Sequence, residues 1–113
     1  MSKVLLVCGD LFFSTQLKGS AEGVGAAVDV ELSSARVAGR VAEGGYSHVV
    51  LDLEASGLDV GGLMGSLPAE GRPVVIAFGP HVQVGRLEAA REGGCDHVVS
   101  RGQVAASLGE LLG

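Results

Sequence analysis

The sequence predicts an α/β protein in which a five-stranded parallel sheet is covered by helices on both faces. Two observations predict it. Strand-like and helix-like segments alternate five times along the 113 residues. Most of the strand-like segments are short, unbroken apolar runs, which is how a parallel strand reads when both of its faces are buried. Alternating βα units join through right-handed crossovers into a parallel sheet. Five strands favour the flavodoxin-like order 2-1-3-4-5, a three-layer sandwich with its ligand crevice at the carboxyl ends of strands 1 and 3.

Each element has its own signal. Lys3–Cys8 is a continuous apolar run and the first strand. Ala27–Leu32 alternates in period two, which puts Val28, Val30 and Leu32 on one face. Ser47–Leu53, Pro73–Phe78 and the short His97–Ser100 complete the sheet. Between them, Phe13, Leu17, Ala21 and Val24 recur at helical spacing. Val37 and Val41 do the same behind Ser33 and Ser34, either of which can cap a helix. Val60–Leu67 is a short helix weakened by glycine, each glycine costing up to about 1 kcal/mol against alanine. Val84, Leu87 and the Glu88–Arg91 stretch predict a fourth helix that ends at Gly93-Gly94. Val104, Leu108 and Leu111 predict a fifth. One domain over residues 1–113 is the expected organisation.

Composition narrows the function classes. Apolar residues make up 47% of the chain and aromatics only 4%, so Val, Leu and Ala must build the core. The net charge of −5, with acids and bases interspersed, argues against nucleic-acid binding, which needs a basic face. No apolar run approaches the roughly 20 residues of a membrane span. The start does not resemble a signal peptide, since its Val/Leu run breaks at Gly9 and Asp10. Cys8 and Cys95 are too few for a disulfide framework, and a reduced cytoplasmic setting is expected.

The most informative stretch is His48-Val-Val-Leu-Asp-Leu-Glu-Ala-Ser-Gly-Leu-Asp59, an apolar strand that stops on Asp52 and enters a loop with a second acid. It resembles the receiver domains of two-component response regulators (CheY-like), whose strand-end aspartate accepts a phosphoryl group. Asp52, Gly57 and Asp59 match that pattern. Ser56 stands where proline is usual and Val60 where glycine is usual. Pro73-Val-Val-Ile-Ala-Phe-Gly79 is similar to the family's fourth strand, and Glu88-Ala-Ala-Arg-Glu-Gly-Gly-Cys-Asp96 to its passage into strand five. The resemblance covers nearly the whole chain.

The family's chemical equipment is mostly replaced. Active receivers hold Mg²⁺ between the acceptor and an acidic pair after strand one. Here that pair aligns with Cys8 and Gly9, and only Asp10, one position on, is acidic. A hard cation wants oxygen ligands, so Asp10, Asp52 and Glu54 are the weak metal candidates, and Asp10 has a competing role as cap of the first helix. The strand-four hydroxyl that binds phosphate aligns with Phe78, and no Ser or Thr lies between Pro73 and His81. The strand-five lysine aligns with Arg101, whose planar fork is not equivalent to an ammonium. The aromatic that relays phosphorylation aligns with Val98. Phosphoryl transfer is mainly positioning and charge neutralisation, so these replacements imply a degenerate pseudo-receiver. Asp52 is the candidate phosphoacceptor and Arg101 its candidate support.

Other residues carry rival readings. Lys3-Val-Leu-Leu-Val-Cys-Gly-Asp-Leu-Phe-Phe-Ser-Thr15 resembles the phosphocysteine loop of phosphotransferase-system IIB enzymes, which makes Cys8 a second phosphoacceptor candidate; a buried, inert thiol is the alternative. His48, His81 and His97 show no metal-ligand spacing. His48 and His97 are expected at surface or strand-end positions, and His81 in a solvent-facing loop. Glu54 is expected to be solvated or paired with Arg101. The expected function is a non-enzymatic, phosphorylation-independent interaction module in signalling, without a cofactor. Its expected partner is a protein, a histidine kinase or a second copy, bound through helix 4, strand 5 and helix 5. There Val84, Leu87, Val104, Leu108 and Leu111 would form an apolar centre ringed by Arg86, Arg91 and Arg101 with Glu88 and Glu92. The alternatives are an active receiver using Asp52 and a cysteine phosphocarrier using Cys8.

Overall fold

The computed structural model describes residues 2–113; residue 1, included in the expected unit 1–113, lies outside them. The elements run β1 (Lys3–Val7), α1 (Leu11–Gly23), β2 (Ala27–Glu31), a 3-10 turn (Ser34–Arg36), α2 (Val37–Gly44) and β3 (His48–Asp52). Then follow α3 (Val60–Ser66), β4 (Val74–Gly79), α4 (Val84–Glu92), β5 (His97–Ser100) and α5 (Arg101–Leu111). All four ladders are parallel and the strand order is β2-β1-β3-β4-β5, as the sequence predicts.

The sheet divides the core into two layers because side chains alternate along each strand. Leu5, Val7, Val49, Leu51, Val75 and Ala77 face α2, α3 and α4, where Val37, Val41, Leu87 and Ala90 meet them. Val4, Leu6, Val50, Ile76 and Phe78 face α1 and α5, where Leu17, Ala21, Val104 and Leu108 meet them. This explains the unbroken apolar runs of β1, β3 and β4. Both faces of these central strands are covered, so no polar residue interrupts them before Asp52.

The elements end where local chemistry ends them. Asp10 caps α1 by accepting from the Phe13 amide at 3.0 Å, and Asp59 caps α3 through the Gly62 amide at 3.2 Å. Gly94, at φ +98°, takes the left-handed conformation that turns the chain from α4 into β5. Ser33 makes no side-chain capping bond, and the Ser34 hydroxyl instead donates to the Ser56 carbonyl at 3.0 Å.

In β2 Val28, Val30 and Leu32 share one face as expected; Val28 packs against the core, Val30 is 37% and Leu32 73% exposed, and on the other face Glu31 is buried beneath α2. Glu31 is held there by Arg40 at 3.5 Å and by the Ser33 amide at 2.9 Å. One expectation needs correction: Leu87, Val104 and Leu108 are buried against the sheet, so the expected apolar centre on the α4–β5–α5 face does not form. Of those five positions Val84 is the one that stands well exposed, at 61%. His48 begins β3, the strand-end position expected of it, and is buried there with its Nδ1 2.8 Å from the Ser47 hydroxyl.

Candidate functional site: a crevice closed from within

Asp52 is the last residue of β3 and pairs in register with Phe78 of β4. It is only 4% exposed. Its Oδ1 accepts from the Glu54 amide at 2.9 Å. Its Oδ2 accepts from the Cys8 thiol, with Sγ 3.5 Å away. Both carboxylate oxygens therefore already have partners inside the protein. Cys8 follows β1 directly and is buried with α1 and α5 at its back. Burial, with the neighbouring Asp52 charge as a smaller cause, pushes its thiol up to about 11. The thiolate needed of a nucleophile or phosphate carrier is thereby disfavoured at neutral pH.

Arg101 occupies the mouth. β5 ends on Ser100 and Arg101, the next residue, opens α5. The strand-end hydroxyl of Ser100 is committed to a capping box, accepting from the Gln103 amide at 3.1 Å while Gln103 Oε1 accepts from the Ser100 amide at 2.8 Å. From this first helical turn the Arg101 side chain folds back over the crevice. One guanidinium nitrogen donates to Asp10 Oδ2 at 3.1 Å, and another lies 3.7 Å from Glu54 Oε1. Glu54 is thus paired with Arg101. Asp10 caps α1 with one oxygen and binds Arg101 with the other, and its carboxyl is held below the usual range first by the Phe13 amide and then by Arg101.

Phe13, marked in the sequence only by its helical spacing, completes the site. The guanidinium carbon of Arg101 sits 4.1 Å above the Phe13 ring, and that ring lies 5.4 Å from Phe78, tilted by 52°. Cation, aromatic and aromatic form one stack from the mouth to the core. Phe78 is fully buried, so the place where a receiver carries a hydroxyl for phosphate is filled with hydrocarbon. The signal for Phe13 was its position three residues after the capping Asp10, which turns its ring toward the crevice.

The open remainder is a cleft of about 320 Å³ bordered by Gly9, Asp10, Asp52, Glu54, Ser56 and Arg101. Its residues, as they stand, do not fit a hard divalent cation. Asp52 is engaged by internal donors, a thiol faces it, Gly9 brings no side chain, and a guanidinium neutralises the other two acids. Among the described residues no group of three His, Cys, Asp or Glu side chains is arranged to hold a metal. His81 is exposed in the loop after β4. No helix among the described residues is long and apolar enough to cross a membrane.

No protein-family model matches the chain, and no curated protein sequence matches it either. Solved structures do. The chain is similar to the receiver domain of a sensor histidine kinase from Pseudomonas aeruginosa, solved with a magnesium ion in its active-site cleft: TM-score 0.84, 18% identity, 98% of this chain and 93% of that one. It is similar to a Francisella response-regulator receiver domain, with TM-score 0.82, 18% identity and coverage of 99% and 93%. It is also similar to a signal receiver domain from Bermanella marisrubri, with TM-score 0.81, 15% identity and 100% of both chains. The fold is therefore the CheY-like, flavodoxin-like fold of response-regulator receiver domains. Asp52 stands at the strand end that opens on its crevice.

Proposed function

We propose that this chain is one receiver-like unit over residues 1–113 that signals by binding a protein partner, without phosphoryl transfer and without catalysing a reaction. The observation that supports it is the internal closure of the crevice. Asp52 has both oxygens hydrogen-bonded, Phe78 replaces the phosphate-binding hydroxyl, and Arg101 covers the mouth through Asp10 and Glu54. Attack on a phosphodonor requires an accessible carboxylate oxygen and a counter-charge for the transferring group; Asp52 is buried with a hydrogen bond on each oxygen, and the neighbouring cation, Arg101, is already paired with Asp10 and Glu54. The partner is a sensor kinase or a second copy of the chain. Among the described residues the outer edge of β5 has no neighbouring strand, which supports contact on the α4–β5–α5 side through backbone and charged groups rather than an apolar centre. An acidic net charge supports a protein rather than a nucleic-acid partner, and two unpaired cysteines support a reduced, cytoplasmic setting.

A second reading has one observation in its favour: Asp10, Asp52 and Glu54 all border the same cleft, as a phosphoacceptor with makeshift metal ligands would require. Beryllofluoride with Mg²⁺ separates the two. Unchanged amide spectra and an unchanged oligomeric state are expected. A shift in either that disappears in Asp52→Asn would establish the phosphoacceptor reading instead.

A further inference from the structure

We propose that Arg101 is a built-in counter-cation that takes the place of a divalent metal in this crevice, cross-linking the loops that a metal would otherwise join. The inference deepens the reading of a crevice that does not transfer phosphate, and rests on that reading for its resting state.

The geometry carries it. Asp10 belongs to the β1–α1 connection, Glu54 to the β3–α3 connection, and Arg101 to the start of α5. One guanidinium reaches both acids, at 3.1 and 3.7 Å. It is fixed from below by the Phe13 ring at 4.1 Å, and Phe13 is fixed by Phe78. A guanidinium on an aromatic face keeps its plane and leaves its edge N–H groups free for carboxylates. The Arg101 side chain is 31% exposed, so solvent screens each pair and neither alone is a strong bond. The effect is in the joint placement: three chain segments far apart in sequence converge on one charge.

Charge arithmetic makes the same point. Asp10, Asp52 and Glu54 border one small cleft, and among the described residues Arg101 is the one basic residue bordering it. Without Arg101 the cleft would carry three uncompensated carboxylates, the setting that attracts a divalent cation. With it, Asp10 and Glu54 are matched, and Asp52 is left to the Cys8 thiol and the Glu54 amide. The order of the crevice is then independent of metal and of phosphorylation, as a constitutive interaction module requires.

The test uses the full chain, Arg101→Gln and Arg101→Lys, with Mn²⁺ as the probe. Paramagnetic broadening of the Asp10, Glu54 and Phe13 amides reports metal in the cleft. Hydrogen exchange at Glu54 and Phe13, the amides that bond Asp52 and Asp10, reports loop order. The parent should show little broadening and metal-independent protection. Arg101→Gln should bind Mn²⁺ about tenfold more tightly, the scale of one screened charge lost beside carboxylates. Its two amides should exchange several-fold faster without metal and recover with it. Arg101→Lys keeps the charge and should stay close to the parent in metal binding. The proposal is overturned if the parent binds Mn²⁺ as tightly as Arg101→Gln, if Arg101→Gln gains no metal affinity, or if Arg101→Lys gains as much as Arg101→Gln. Phosphodonor labelling of the parent at Asp52 would overturn the proposed function while leaving these metal comparisons intact, so the two failures are distinguishable.

Discussion

Cys8 Sγ lies 3.5 Å from Asp52 Oδ2, joining the ends of β1 and β3 across the sheet by a thiol–carboxylate hydrogen bond. A second acid at position 8 would meet Asp52 in a nearly solvent-free site, where like charges repel strongly. Cys8→Asp should cost on the order of 3 kcal/mol at neutral pH without metal. Gly9 has nothing within 4 Å of where a Cβ would sit, so Gly9→Asp is sterically free. Thermal melts of the double variant should show lower stability than the parent and a clear rise on adding Mg²⁺, whereas the parent should show no rise. A double variant indifferent to Mg²⁺ would mean that positions 8 and 9 do not flank the acceptor as described.

Phe78 is the load on the other side of the acceptor. It is fully buried among α1 and α5 residues and touches Phe13. Phe78→Ala should cost about 3–5 kcal/mol in denaturant unfolding, the range for emptying a buried phenylalanine site. The Phe13 ring would lose its support, and with it the seat of Arg101. Spectral change at Arg101 and Asp10 should therefore accompany the lost stability. Changes confined to the β4 neighbours would show that the stack does not act as a unit.

Stability should fall on acidification in two stages. Burial, with the nearby His97 as a smaller cause, holds His48 below its ordinary value of 6.5. The unfolded chain then binds a proton that the folded one refuses, so His48 costs nothing above about pH 6.5 and destabilises increasingly below it. The second stage belongs to Asp10, Glu31 and Asp96, whose carboxyls are all held below their ordinary values. Their contribution is complete above the unfolded carboxylate range of about 4 and is lost as pH falls through their lower folded values. At the alkaline end Cys8 works the other way. Its folded value of about 11 lies above the ordinary 9.0, so stability declines between the two as the unfolded thiol ionises. Unfolding midpoints measured from about pH 2 to about pH 11 span the profile, and His48→Gln should remove the first acid stage alone.

Much of the fold was legible because central parallel strands must be apolar on both faces, and β1, β3 and β4 are. Asp52 was legible for the same reason, as the first acid after such a run. β2 lies at the sheet edge, where alternation separates an apolar from a polar face but does not report how far each is covered: Val28 packs against the core while Val30 and Leu32 stand exposed. On the other face Glu31 is buried beneath α2, satisfied by Arg40 and the Ser33 amide. The apolar positions of α4 and α5 were read as surplus for a partner, yet Leu87, Val104 and Leu108 are simply the stripe each helix needs to reach the sheet. Arg101 was legible as the residue that follows a strand ending at Ser100. Its reach across to Asp10, 91 positions away in the chain, has no local signature at all.

The most direct measurement is intact-protein mass spectrometry after incubation with a small-molecule phosphodonor and Mg²⁺, on the parent and on Asp52→Asn. With both Asp52 oxygens bonded internally and Arg101 closing the mouth, the expected result is no mass increase in either protein. A phosphoryl adduct on the parent, labile as an acyl phosphate and missing from Asp52→Asn, would contradict a crevice closed to phosphoryl transfer.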